Sequence, residues 1–180
     1  MVYGFHQKIL HVFLEHQSFD VEIPSEAFYR KYLGGSALGT YYSLKYTPPG
    51  VEPLSGDNTL IFAVGVVTGA PIPGQSRLNA TAKSPLTGGI GDSQSGGYFP
   101  AEFKFAGYDA MIIHGRSSEP VYIWVNDGKV EFRAAAHLMG RSTLEVERLI
   151  KEDLGDSRIQ VLQTGIAGEN QVRYSSLISM

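Results

Sequence analysis

Between Gly91 and Gly107 the chain reads GDSQSGGYFPAEFKFAG: small and flexible at first, then apolar at helical spacing. Pro100 suits the first turn of a helix beginning near Tyr98, and Gly107 suits its end. Gln94, Ser95, Gly96 and Gly97 are therefore expected at that helix's N-terminus, where unpaired N–H groups and a partial positive charge attract anions. Gly96 and Gly97 carry no side chain, so a phosphate could come close to their backbone. The plainer account is a tight turn that needs glycine for its φ angles alone. Arg77 follows a Pro-Ile-Pro-Gly loop, and its planar fork can grip a phosphate or form an ordinary surface ion pair.

Other chemistries fit less well. Gly34 to Thr40 has the outer spacing of a phosphate-binding loop, but Gly39 is followed directly by Thr40, so the phosphate-reaching lysine is missing. Gly89 to Gln94 begins like a dinucleotide fingerprint, yet glutamine stands where the third glycine belongs and no long crossover helix follows. Gly91-Asp92-Ser93 has the surroundings of a nucleophilic serine, which needs a histidine base and an orienting carboxylate. His6, His11, His16, His114 and His137 are available, and no motif singles one out. A satisfied or surface histidine is the expectation for each. No histidine pair has the i, i+4 spacing of a zinc helix, so neither a metal centre nor a catalytic residue is assigned within the chain.

The elements that must position these groups have clear local signals. Lys8–Glu15 and the FDVEI run after it read as a hairpin. Ser25 is an N-cap for a helix through Phe28, Tyr32 and Leu33; helical spacing resumes from Ala37 and stops before Pro48. Leu60–Val67 is a buried strand. Further on, VYIWV and KVEFR flank the hairpin turn Asn126-Asp127-Gly128. Ser142 and Glu145 have capping-box spacing at the start of STLEVERLIKEDLG, Gly155 is its C-terminal stop, and RIQVLQ closes the unit as a strand.

Each half thus reads hairpin, helix, strand. Each final strand runs into Thr-Gly, at Thr68-Gly69 and Thr164-Gly165, and Arg77 and Arg173 lie nine positions past those threonines. Arg173 opens an extended segment, RYSSLISM, as Arg77 does. Two matches at equal spacing imply a duplicated unit. The expected fold class is α+β: a pseudo-two-fold pair of related β-sheets within one domain, residues 1–180, with repeats about 5–80 and 108–180.

Composition bounds the partners. With 180 residues, 43% hydrophobic and 18% charged, the chain can bury a real core. A net charge of −3 with scattered lysines and arginines offers no nucleic-acid or acidic-membrane surface. No apolar run approaches the roughly 20 residues that span a bilayer, and the start, MVYGFHQKILHVF, lacks the pattern of a secretion signal. A cytoplasmic location is expected. The absence of cysteine removes disulfides, thiolate metal sites, iron–sulfur ligation and thiol nucleophiles from what this chain alone could offer.

Taken together, KSPLTGGIGDSQSGGYFPAEFKFAGYDAMIIHG (Lys83 to Gly115), YLGGSALGTYYSLK, VTG leading into GQSRLN, PVYIWVNDGKVE and TGIAGEN carry a resemblance over nearly the whole chain. They resemble the N-terminal domain of the tungsten-containing aldehyde ferredoxin oxidoreductases. The resemblance implies a saddle of two related sheets that cradles tungsten, occasionally molybdenum, on two pyranopterin dithiolenes whose phosphates are bridged by magnesium. It implies that the SGG loop lies on those phosphates, with Gly96 giving a backbone contact, and that Arg77 sits between a pterin and a [4Fe-4S] cluster bound by other domains.

Two positions depart from the family pattern: Gln94 stands where asparagine is usual, and the common GGRYN is GQSRLN. The resembled reaction is oxidation of an aldehyde to its carboxylate, with electrons passed to ferredoxin. The chain is expected to be part of a longer enzyme, inactive alone, that works with C-terminal domains and admits a homodimer. The rival expectation is a non-catalytic scaffold that binds phosphate-bearing ligands or a partner domain.

Overall fold

The computed structural model describes residues 4–179. The first three residues of the MVYGFHQKILHVF start, and Met180 at the end of the expected RYSSLISM segment, lie outside the described residues. Among the described residues ten strands and five α-helices follow one another: β1 Ile9–Phe13, β2 Ser18–Glu22, α1 Glu26–Tyr32, α2 Gly35–Tyr46, β3 Leu60–Val64, β4 Leu78–Lys83, β5 Ile90–Ser95, α3 Phe99–Phe105, β6 Ala110–His114, β7 Val121–Asn126, β8 Lys129–Ala134, α4 Thr143–Leu154, β9 Leu162–Gln163, α5 Gly165–Glu169 and β10 Ile178–Ser179. One six-stranded sheet runs in the order β2-β1-β6-β3-β4-β5, and β7-β8 and β9-β10 are two-stranded ribbons.

Both faces of the large sheet are covered, so its central strands are apolar throughout instead of alternating. On one face Ile9, Ile61, Ala110 and Ile112 meet Tyr29 of α1 and Leu38 and Tyr42 of α2. On the other, Leu10, Val12, Phe62 and Met111 meet Phe103 of α3, with Ile123, Val125, Val130 and Phe132 of the ribbon β7-β8. α4 has a separate small core, in which Val146 and Ile150 pack with Ala135, Leu138 and Val161.

The local signals that predict elements act as expected at their ends. Ser25 accepts from the Phe28 N–H at 3.3 Å, and Leu33 closes α1 in a left-handed conformation. Asp127 and Gly128 supply the positive φ angles of the β7-β8 turn, 47° and 80°. Ser142 caps α4 by accepting from Glu145 N–H at 3.3 Å, but only this half of the capping box forms. The Glu145 carboxylate is taken by Arg141. Ser142→Ala should therefore cost about 1 kcal/mol, read as a lowered urea midpoint; an unchanged midpoint would show that the cap contributes nothing.

Three expectations are corrected. The buried strand stops at Val64, because Gly65 turns the chain and forms an isolated bridge with Gly34. The strand expected over RIQVLQ shrinks to Leu162–Gln163, paired only with Ile178–Ser179. GDSQS, expected as a loop, is most of β5 and pairs with β4 from Lys83↔Ile90 to Leu78↔Ser95. The α+β class holds, as one large sheet and two ribbons.

Candidate functional site

Arg77 reaches its place through a loop closed by polar contacts. The buried Thr68 accepts from Gly65 N–H at 3.2 Å, and its hydroxyl faces the Gln75 and Arg77 carbonyls, each at 3.4 Å. The Gly69 N–H donates to the Gln75 side chain at 2.7 Å. Gly69 also faces Phe105, so the loop rests on α3: a Cβ at Gly69 would come within 2.9 Å of that ring. The Thr-Gly pair that marks the proposed repeat thus fastens the loop that delivers the arginine.

Beyond β5 the chain turns through Gly96 and Gly97 into α3. The Ser76 hydroxyl donates to the Gly97 carbonyl at 2.6 Å, tying the arginine loop to this turn. The Arg77 guanidinium lies directly against Gly96, in the space that any Cβ there would fill. Gly97 has φ 91°, a conformation that favours glycine. Arg77 makes no ion pair among the described residues, which removes the ordinary surface salt bridge as its explanation there. Tyr98 beside it is 76% exposed.

The structure brings together Arg77, Ser95, Gly96 and Gly97, but separates Gln94 from the expected helix terminus. Gln94 and Ser95 are the last residues of edge strand β5, opposite Asn79 and Leu78. Only Gly96 and Gly97 lie in the turn. The buried Asn79, which donates to Ser36 at 3.1 Å and contacts Asp92, pins β5 from behind. Its partner Thr81 donates to the Asn79 side-chain oxygen at 2.7 Å. Ser76 and Asn79 were not singled out in the sequence; their position on either side of Arg77 was the available signal.

The glycines of the apparent phosphate loop serve packing. Gly39 lets α2 approach β4 until its backbone meets Thr81 and Asn79, where a Cβ would stand 2.9 Å from the asparagine oxygen. The serine-hydrolase arrangement does not assemble. Ser93 is on edge strand β5, while His11 and His114 lie on β1 and β6, beyond β4 and β3.

The FKFAGYDA motif encloses a buried ion pair. Lys104 and Asp109, each 1% exposed, bond to one another. Asp109 also accepts the Tyr29 hydroxyl at 2.9 Å and the His6 N–H at 2.9 and 3.0 Å. Burial, with the Asp109 charge adding to it, pushes the Tyr29 hydroxyl far above its ordinary titration range, so it remains a donor. This cluster ties the segment before β1 and helix α1 to α3, and so anchors the helix that carries the SGG turn.

The histidines are mostly satisfied. His11 and His114, 103 residues apart in sequence, contact one another at 3.1 Å, and His11 meets Glu22 at 3.0 Å. His137 meets Asp153 at 3.1 Å. Burial lowers the proton affinity of His6, with Asp109 opposing it, and lowers that of His114, with His11 adding to the effect. Below the ordinary value of 6.5 the unfolded chain takes up these protons before the folded one. Stability is therefore expected to be full above that pH and to fall as pH is lowered through it, measured as the urea midpoint across the acid range. A midpoint rising with acidity would contradict this. Among the described residues no cluster of three or more metal-ligating side chains occurs, and no helix is long and apolar enough to cross a membrane.

The sequence profile of the family "Aldehyde ferredoxin oxidoreductase, N-terminal domain" matches residues 9–180. The tungsten-containing aldehyde ferredoxin oxidoreductase of Pyrococcus horikoshii is 43% identical over 99% of this chain and 29% of its own length. The aliphatic sulfonate oxidoreductase, WOR-like subunit, of Pyrococcus furiosus is 31% identical over 99% of this chain and 31% of its own. Among solved structures, the active site complex BamBC of benzoyl coenzyme A reductase, with 1,5-dienoyl-CoA, superposes with TM-score 0.95 at 38% identity, covering 98% of this chain and 27% of that one. The chain thus spans less than a third of the length of these relatives.

Proposed function

This chain belongs to the family of aldehyde ferredoxin oxidoreductase N-terminal domains, and we propose that within it Arg77, Ser95, Gly96 and Gly97 seat the phosphate-bearing end of a metal-pterin cofactor. The observation that carries this reading is the exposed Arg77 guanidinium against the side-chain-free backbone of Gly96. A fixed fork of donors beside open backbone suits a doubly charged phosphate. The residues fit the group: the cation makes no ion pair among the described residues, Gly96 has no Cβ to push it away, and a Cβ at Gly97 would meet nothing nearer than the Ser179 hydroxyl at 3.7 Å.

The tungsten in the relatives' names supports a tungsten pterin; molybdenum, a second pterin and a bridging magnesium ion belong to the same proposal. When bound, that group would supply the two-electron chemistry, aldehyde and water to carboxylate, with electrons leaving through a [4Fe-4S] cluster to ferredoxin. The chain's own residues bind and orient. Arg77 holds charge, Ser76 and Thr68 hold Arg77's loop, and Asn79 holds the strand that ends at Ser95. Gln94, opposite Asn79 on the edge strand, carries a side-chain amide that can bond the phosphates or a hydrated cation between them. Residues 1–180 act as one cofactor-binding domain, built from repeats about 5–80 and 108–180, and further domains supply the cluster and the substrate pocket. Relatives named for aldehyde, sulfonate and benzoyl-CoA chemistry share this portion, which supports a common role upstream of substrate choice.

The test is Arg77→Ala in the full-length enzyme, read as tungsten and pterin content after gel filtration. A charge-assisted hydrogen bond is worth about 1.5–3 kcal/mol, so retention should weaken roughly tenfold or more. Arg77→Lys should lie between, because it keeps the charge and loses the fork. Unchanged metal and pterin content in Arg77→Ala would overturn the assignment.

A further inference from the structure

At the opposite end of the same sheet lies a second polar assembly. Arg77 precedes the end of β4 where Leu78 faces Val64, whereas His114 follows Ile113, which faces Leu60 at the other end of β3. His114 stacks on His11 with ring centroids 5.4 Å apart and on Phe13 at 5.0 Å, and Tyr46 of α2 meets its edge at 5.1 Å. His114 also borders an open cleft of about 290 Å³ lined by Phe13, Glu15, His16, Tyr46 and Asp57.

The tautomers follow from the contacts. An ionised Glu22 can only accept, so His11 presents Nε2–H to it and keeps a bare Nδ1. That nitrogen accepts from Nε2–H of His114. The neutral pair is therefore a directed chain, His114 to His11 to Glu22. One added proton is accommodated: it enters at His114 Nδ1, and either ring can then hold the charge while the nitrogen–nitrogen contact keeps a single hydrogen between its atoms. Two added protons are not. His11 Nδ1–H and His114 Nε2–H would then face each other as donors on two cations.

We propose that His11 and His114 form an acid-triggered switch, in which the pair shares one proton and a second drives the His114 ring out of its stack into the cleft, toward Glu15 and Asp57. His11 is the fixed member, since it is buried and held by Glu22. His114 is the mobile one, bordering open volume with two carboxylates at its rim. The His114 backbone stays fixed, its carbonyl accepting from Leu14 N–H at 3.0 Å, so the movement is a rotation of the side chain alone. The charged and titratable surroundings are Asp20 and Glu22 from β2, Tyr42, Lys45 and Tyr46 from α2, Glu15 and His16 from the β1-β2 turn, Asp57 before β3, and Arg116 after β6. Lys45 lies over the Tyr46 ring at 4.8 Å, where the Tyr46 hydroxyl, and after it the Glu22 charge, favour its charged form. Lys45 opposes the first proton and Glu22 favours it; Glu15 and Asp57 favour the displaced cation. The switch does not depend on the cofactor reading, since neither Arg77 nor the SGG turn takes part.

Imidazole nitrogen NMR of the chain through a pH titration tests this. At neutral pH both rings should be protonated on Nε2. The pair should then take up two protons in steps at least about one pH unit apart, tenfold in affinity, and the Phe13–His114 ring contact should vanish with the second. Glu22→Gln, on an edge strand, should move the first step to lower pH; His114→Asn should leave His11 a single step with no acid-dependent change at Phe13. Nδ1–H tautomers, one common step for both rings, a ring contact that survives the second proton, or global unfolding in its place would each overturn the proposal.

Discussion

Lys104→Met is expected to remove about 3–5 kcal/mol of folding stability, the largest loss foreseen for a single side chain here. The Lys104 and Asp109 side chains are 1% and 2% exposed. With the cation gone, a carboxylate stays in a region where water cannot solvate it, and the Tyr29 hydroxyl and His6 amide offset only part of that cost. Asp109→Asn should be as severe for the opposite reason, since it leaves the ammonium without its counter-charge. The double variant should lose less than the sum, because each single change exposes the other partner. Urea unfolding of the four proteins measures this cycle. A loss below about 1 kcal/mol, the size of an exposed ion pair, would mean that the pair is hydrated in solution.

Gly34→Ala should cost about 3 kcal/mol or more, by a backbone route instead of an electrostatic one. Gly34 joins α1 to α2 at φ 110°, ψ −175°, a region that is essentially glycine's own. A Cβ there would stand 3.1 Å from the Gly65 Cα and closer still to the Val64 carbonyl oxygen. Both contacts are main chain, so no side-chain rotation relieves them. Gly35 supplies the control: it has φ 53° with nothing within 4 Å of its would-be Cβ. Gly35→Ala should cost only about 1–2 kcal/mol, the strain of the left-handed conformation. Equal losses for the two variants would show that backbone angle alone, and not the approach to β3, governs this junction.

The parts of the fold legible in the sequence are those governed by neighbours in the chain. Ser25, Ser142, Gly155 and the Asp127-Gly128 turn each set a boundary through a bond or dihedral a few residues long, and each stands where it was expected. β5 escaped because IGDSQS has almost no intrinsic strand preference; it is extended because Asn79 and Thr81 of β4 hold it, a tertiary cause invisible to local pattern. Misplacing β5 also misplaced Gln94. Arg77 and Gly96, the residues of the proposed seat, were legible in their types, and the fold brings them together across the intervening strands. Ser76 and Asn79 were missed, because their work is done through partners that only the folded chain identifies. The meeting of His11 with His114 depends on the parallel pairing of β1 with β6, which no short-range periodicity announces.

The outermost position of β5 has a consequence for the molecule's behaviour in a crowded solution. A sheet margin beside the proposed ligand seat must stay open, and open margins invite strands from other molecules to add on. Glycine, aspartate, serine and glutamine make a poor template for such addition: they bring charge, flexibility and little apolar surface to hold an intruder. The same weak composition that hid this strand lets the proposed seat remain uncovered while guarding the protein against aggregation along that border.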